Sequence, residues 1–319
     1  MLFTRRLVTA GLLSGLSVHA SFAQSRKQIN LIVPFPPGGS VDTLARVMQE
    51  GLQERLNATV IIENKAGANG AIGAAQAAKS APDGLTLMAT FDSHSTIPAL
   101  LERPPLDVEK DLVPVMLVGK APYIVATSTN KPFKNFADVI AAAKTTPVSY
   151  GTSGPGSSGH LAMVMLGRKA QAALNHVPYR GAGPAINDAI GGHIDLICAS
   201  VAALLPQIQA GSLRPIMQMG PQRLKSLPDA PTTAESGFPD FLAEAWWGFF
   251  APKGTPEPIV NETYAALRDV LTMPAVSQRL QETQQMTLLL QGPKDFAPFF
   301  AKEVEFWGKV VRDNQIKGE

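Results

Sequence analysis

The chain twice runs from a short apolar strand through glycines into an amphipathic helix. A unit of that kind buries its strand most readily inside a parallel sheet covered by helices. Ile29–Val33 is almost wholly apolar, a Pro/Gly turn follows at once, and Val41, Leu44, Ala45, Met48, Leu52 and Leu56 then recur on one helical face. Thr59–Ile62 reads as the next strand, Ile72–Lys79 as an Ala-rich helix, and Leu85–Thr90 as a strand closed by polar residues. The alternation implies an α/β fold with largely parallel sheets flanked by helices.

After Tyr123–Ala126 the pattern restarts. Asn135 with Asp138 three residues on marks a helix start, and Phe136, Val139, Ile140 and Ala143 supply its apolar face. Strands at Val148–Tyr150, Asn175–Tyr179, Ile194–Ala199 and Leu213–Met219, with helices opening at Pro184 and near Ala202–Ala210, make a second α/β lobe. The Pro-rich stretch Pro221–Pro239 reads as a return to the first lobe. Thr255-Pro256, and then Thr272 with Pro274, read as capped helix starts. Phe296, Phe299, Phe300, Val304, Trp307 and Val311 form a last amphipathic stripe, read as a core face and not a ligand box. The expected organisation is a leader over 1–23, a first lobe over 24–124, a second over 125–220, and completion of the first over 221–319.

The leader expectation rests on Arg5-Arg6, the apolar run Leu7–Val18 and the small residues Ser21 and Ala23 ahead of Gln24. That run is too short to cross a bilayer of ~30 Å. Cleavage would release a soluble periplasmic protein; Arg5-Arg6 leaves Sec and twin-arginine export both open. The single cysteine, Cys198, can make no internal disulfide and reads as a small buried hydrophobe. Lys and Arg number 28 and Asp and Glu 26, and Arg5 and Arg6 would leave with the leader. A chain so near neutrality, without a basic stripe, lacks the footprint of a nucleic-acid binder. Any preference for anions must then come from a local site.

Two turns offer one. Val33-Pro34-Phe35-Pro36-Pro37-Gly38-Gly39-Ser40-Val41-Asp42 opens the first helix, and Tyr150-Gly151-Thr152-Ser153-Gly154-Pro155-Gly156-Ser157-Ser158-Gly159-His160 opens a helix in the second lobe. A helix start presents unpaired N–H groups and a partial positive charge, so a carboxylate can be held there without lysine or arginine. Taken alone, the first turn reads equally as an ordinary tight turn capped by Ser40 or Asp42. Facing each other across a cleft, the pair could grip one carboxylate or both ends of a dicarboxylate. Gly154, Gly156 and Gly159 also match a dinucleotide-binding spacing, but His176-Val177-Pro178-Tyr179 carries no acidic residue for a ribose.

Nucleophile-elbow, P-loop and zincin motifs are absent, and no ligand cluster implies a metal or organic cofactor. His94 and His160 read as polar caps or ligand contacts more readily than as general bases. The rival enzymatic reading is an exported α/β hydrolase using Ser153 or Ser158 with His160.

These turns, with Glu63-Asn64-Lys65-Ala66-Gly67, Ala81-Pro82-Asp83-Gly84, Gly159-His160-Leu161-Ala162, His176–Gly181, Gly192–Leu196 and Trp247–Pro256, resemble the Bug family from about Ile29 to the C-terminus. That family comprises the extracytoplasmic, TctC-like binding proteins of tripartite tricarboxylate transporters. The resemblance implies a two-lobed type II periplasmic binding protein fold, a Venus flytrap closing on a small carboxylate. It implies a monomer that is not an enzyme, with a membrane permease or a sensor kinase as partner. It also implies a ligand-contact set: Phe35, Pro36, Gly38, Gly39, Ser40 and Asp42 in the first turn; Thr152, Ser153, Gly156, Ser157 and Ser158 in the second; and Phe91, Asp92, Ser93 and His94 in a third loop. Tyr179, Asp195 and Ser200 complete the set. The sequence departs from the family at Asp92, where a small neutral residue is usual, at Ile97 before Pro98, and at Ala199-Ser200, which replaces Asp-Asn. Asp92 reads either as an acceptor for a ligand amino or hydroxyl group or as a solvated loop aspartate.

Overall fold

The computed structural model describes residues 27–316, so the leader expected over residues 1–23 lies outside the described residues. The first half of the chain forms β1 (Lys27–Val33), α1 (Ser40–Arg55), β2 (Ala58–Asn64), α2 (Ala71–Ala78) and β3 (Thr86–Phe91). A 3-10 turn at Asp92–Thr96 leads into the short α3 (Ile97–Leu100) and then the 17-residue β4 (Leu112–Ser128). The second lobe follows with α4 (Phe136–Ala143), β5 (Val148–Gly151), α5 (Ser158–Ala170), β6 (Leu174–Val177), α6 (Ala182–Gly191), β7 (Leu196–Ser200), α7 (Val201–Gln209) and β8 (Leu213–Gln218). The chain returns through β9 (Glu244–Pro252), α8 (Glu257–Leu271), α9 (Pro274–Gln284), β10 (Thr287–Gln291) and α10 (Pro293–Asp313).

The apolar periodicities act as anticipated. Val41, Leu44, Ala45, Met48 and Leu52 are buried along α1, and Asn135 and Asp138 form a reciprocal capping box at the start of α4. Pairing is parallel within β2-β1-β3 and within β6-β5-β7, and antiparallel around β4 and β9. The central strand is β4. From Leu112 to Pro122 it pairs with β9, and from Tyr123 onward with β7 and β8. Three backbone bonds close the crossing: Tyr123 N–H to Ala243 O at 3.0 Å, Met219 N–H to Tyr123 O at 2.8 Å, and Ala243 N–H to Met219 O at 2.9 Å.

The Pro-rich stretch first folds along β8 before it rejoins the first sheet. Gln218 donates to Leu227 O and Ala230 O, and the Phe238 ring meets Phe136 of α4 edge-on at 5.9 Å. Phe296 and Phe300 of α10 lie buried with Trp246 and Phe250 of β9 beneath the first sheet, which is the core role expected of the last stripe. Cys198 is buried in β7. Two capping expectations need correction. Thr255 donates its hydroxyl to Pro252 O while Pro256 occupies the N-cap of α8. Thr272 closes α8 with its hydroxyl on Asp269 O, and Met273 is the N-cap of α9. In both places the threonine lies one residue before the N-cap, and its hydroxyl donates to a carbonyl behind it.

A Cβ at Gly119 of β4 would lie 2.4 Å from Thr287 O in the pairing strand β10. Gly119→Ala should therefore lower unfolding stability by about 1–3 kcal/mol in urea titration. Gly183→Ala, where nothing lies within 4 Å of the added atom, should be neutral or stabilising.

Candidate functional site

The two glycine turns share a construction. In the first, Gly38 N–H bonds to Asp42 Oδ2 at 2.9 Å; in the second, Gly156 N–H bonds to His160 Nδ1 at 3.0 Å. Each glycine amide is thus fixed by a side chain four residues further on, one turn into the helix. Both glycines have positive φ, +81° at Gly38 and +71° at Gly156, a conformation in which a Cβ is strained.

Asp42 also accepts from Arg46 Nε at 2.8 Å and Asn64 Nδ2 at 3.0 Å. Burial alone would raise its pKa, but the bonds from Arg46, Gly38 and Asn64 outweigh that and hold the group below the ordinary carboxylate range. Its acceptor capacity is therefore spent on the turn. The N-cap of α1 is Gly39, without a side-chain cap, so neither Ser40 nor Asp42 caps the helix. The N–H groups of Ser40, Val41 and Asp42 find no acceptor among the described residues. Pro36, Gly38 and Gly39 are exposed, while Phe35 is half-buried with its carbonyl held by Asn64.

In the second turn Ser157 is the N-cap of α5; its hydroxyl accepts from His160 N–H at 3.3 Å and donates to Gly154 O at 2.8 Å. Thr152 Oγ1 bonds His176 Nε2 at 2.9 Å, and the His160 and His176 rings stack at 3.8 Å. Burial holds both imidazoles neutral, pushing His160 down to about 3, with the nearby His176 adding to the effect, and His176 down to about 4. The N–H groups of Ser158 and Gly159 at the head of α5 find no acceptor among the described residues. Ser153 is exposed, and Ser158 Oγ has no hydrogen-bond partner. His160 therefore pairs with no serine nucleophile: Nδ1 serves the backbone of the turn.

The third loop joins the two. Trp247 Nε1 reaches Ser40 Oγ at 3.3 Å, and its ring meets Phe91 edge-on at 5.1 Å. Asp92 follows, only 1% exposed, taking a hydrogen bond from Tyr123 Oη at 2.8 Å. The solvated-loop reading of Asp92 is therefore overturned: the 3-10 turn carries its side chain inward. Burial pushes the Asp92 carboxyl up to about 7, with the charge of Glu303 adding to the rise against the bond from Tyr123 and the nearby Ser158 hydroxyl. A Cβ at Gly156 would overlap Leu100 of α3, so the second turn lies directly against the first lobe.

Other members of the expected set stand apart. His94 is buried between Phe250 and Phe300, stacked on the latter at 5.4 Å, and burial drives its pKa to about 3; it belongs to the aromatic core. The Tyr179 ring borders Gly151, but its hydroxyl is committed to Asp188 at 2.7 Å. Asp195 bonds Lys131 and Ser149 just ahead of β7, about 16 Å along the strand from Ser200 at ~3.3 Å per residue. Ser200 ends β7 opposite Tyr123. The sequence reading missed Tyr123, Trp247 and His176 as site-building residues; Trp247 and His176 stood inside segments already singled out. Among the described residues no three His, Cys, Asp or Glu side chains are placed to hold a metal ion.

His160 binds protons near pH 6.5 when unfolded but resists them to about 3 when folded. As pH falls below 6.5 the unfolded chain takes up a proton that the folded chain refuses, so this residue's contribution to stability is lost progressively on acidification. Asp92 has the opposite sign: its raised pKa contributes fully below 3.8, and the contribution is lost as pH rises toward about 7. His160→Asn keeps an acceptor for Gly156 without the titration. The variant should lose less unfolding free energy than the parent between pH 7 and pH 4, measured by chemical denaturation.

Residues 44–316 match the family model described as the tripartite tricarboxylate transporter family receptor. Protein BugT of Bordetella pertussis is 35% identical over 98% of this chain and 95% of its own length. MatC from Rhodopseudomonas palustris, solved with bound malate, superposes with a TM-score of 0.79 at 30% identity, covering 89% of this chain and 98% of that one. A second R. palustris protein, solved with adipate, gives a TM-score of 0.83 at 29% identity over 91% and 98%. The shared receptor fold accounts for two lobes tied at one crossing, and the chain belongs to the tripartite tricarboxylate transporter receptor family of solute-binding proteins.

Proposed function

We propose that this chain is a periplasmic receptor that closes its two lobes on a small carboxylate and delivers it to a membrane permease of the tripartite tricarboxylate type. The observation that carries the reading is the pair of helix starts. Amides at Ser40–Asp42 of α1 and at Ser158–Gly159 of α5, one helix start in each lobe, are unclaimed among the described residues, and on this reading they face the ligand. Each helix N-terminus contributes roughly 0.3–2 kcal/mol toward a bound anion, more when water is excluded. Malate and adipate in the two R. palustris relatives have the chemistry such a pair would hold. The contact residues on this reading are Phe35, Pro36, Gly38, Gly39 and Ser40 from the first turn and Thr152, Ser153, Gly156, Ser157 and Ser158 from the second, with Phe91 and Asp92 between them. Asp42 and His160 position the turns.

The lobes on this reading are residues 27–122 with 244–316, and 123–243. The apolar run Leu7–Val18 would direct export and leave with residues 1–23, and no helix among the described residues is long and apolar enough to cross a membrane. On this reading the protein acts as a monomer.

A thermal-shift screen of the protein lacking residues 1–23 tests the reading, using mono-, di- and tricarboxylates, amino acids and aromatic acids. A true ligand at a hundredfold excess over Kd adds about 2.7 kcal/mol of stability, a rise of several degrees. A rise confined to one chemical class, with the ligand recovered unchanged by mass spectrometry, is expected. Turnover of the ligand, or no rise with any carboxylate on protein shown to be free of retained ligand, would sink it.

A further inference from the structure

Thr90 Oγ1, Asp92 Oδ1, Ser93 Oγ and Ser158 Oγ are all buried without a hydrogen-bond partner. The first three belong to β3 and the loop behind it, and the fourth to the head of α5, so the set straddles the seam between lobes. Buried polar atoms are ordinarily satisfied, and a cluster left open in a receptor fold marks a place for a group from outside the chain. No salt bridge includes Asp92 among the described residues. Its surroundings supply a phenol from β4, Tyr123, a hydroxyl from α5, Ser158, and another acid from α10, Glu303. Glu303 is itself held by the indoles of Trp246 and Trp307. His94 of the same loop stays neutral. Lys120 of β4 offsets part of the Glu303 charge, but no cation among the described residues acts on Asp92, which leaves its counter-ion to the ligand.

We propose that Asp92 determines the specificity of the cleft, its free oxygen receiving the ammonium group of an amino-carboxylate whose carboxylate rests on the helix starts. The inference rests on the carboxylate-receptor reading above and narrows it. An ammonium carries three donors, and Asp92 Oδ1 can accept one of them, with the Ser158 hydroxyl beside it. A second ligand carboxylate here would add a third negative charge beside Asp92 and Glu303. A ligand hydroxyl would fill a hydrogen bond but leave Asp92 uncompensated. Because burial pushes the Asp92 carboxyl up to about 7, part of it is protonated at neutral pH. An arriving ammonium favours the ionised form and expels that proton.

Titration calorimetry with matched pairs tests this: aspartate against succinate, glutamate against glutarate, and phenylalanine against 3-phenylpropionate. For at least one pair the amino member should bind tenfold or more tightly than its partner, and Asp92→Asn should erase that advantage. Repeating the wild-type titration at pH 7 in phosphate and in Tris counts protons; release should accompany the amino ligand. Equal affinity within every pair, an advantage that survives in Asp92→Asn, or no proton release would overturn the proposal. If Asp92→Asn fails to melt cooperatively, the wild-type affinities and proton count decide. Binding by none of the six compounds would count against the carboxylate reading itself and take this inference with it, whereas tight binding of the des-amino members sinks the inference alone.

Discussion

Three backbone hydrogen bonds among Tyr123, Met219 and Ala243 set what this molecule can do. They gather the outgoing and returning chains at one crossing, where β4 exchanges β9 for β7 and β8 as its partners. Pro122, with no N–H to give, stands at the exchange. Bending over a few such residues is how two rigid lobes swing without losing their cores. Tyr123 also sends its hydroxyl to Asp92, so the crossing and the floor of the seam are one structure.

The two glycine turns are fixed by different side chains. In each turn the glycine amide is fixed by a side chain one helical turn further on. The first lobe uses a carboxylate, Asp42, balanced by Arg46 and Asn64; the second uses a neutral imidazole, His160, kept so by burial and by His176. These two solutions differ in charge but leave the same result, a rigid helix start with free N–H groups. Rigidity of this kind lowers the ordering cost of binding.

Much of the fold was legible because its signals are local. The periodicity of α1, the Asn135–Asp138 box and the glycine turns each depend on residues a few positions apart. Contacts between distant segments were less legible. β4 read as four residues, Tyr123–Ala126, because its 17 residues are interrupted by Pro114, Gly119, Lys120 and Pro122, which a strand tolerates only when tertiary pairing holds it. β9, the partner that does so, was visible only as the segment Trp247–Pro256, without an assigned conformation. Asp92 looked equally suited to solvent because nothing nearby in sequence reveals Tyr123, 31 residues away, or the 3-10 turn that carries the side chain inward. His94 and Asp195 looked like site residues by type and neighbourhood, yet an aromatic core took one and a salt bridge with Lys131 the other.

Closure of the two lobes on a captured ligand is the claim everything else serves, and a ligand must bind the closed form more tightly than the open one for it to hold. Small-angle scattering of the monomer, before and after saturation with a ligand already identified by its stabilising effect, measures this directly. A smaller radius of gyration on saturation, with unchanged mass, is the expected result. An unchanged radius would mean that ligand enters without moving the lobes, and would contradict the account.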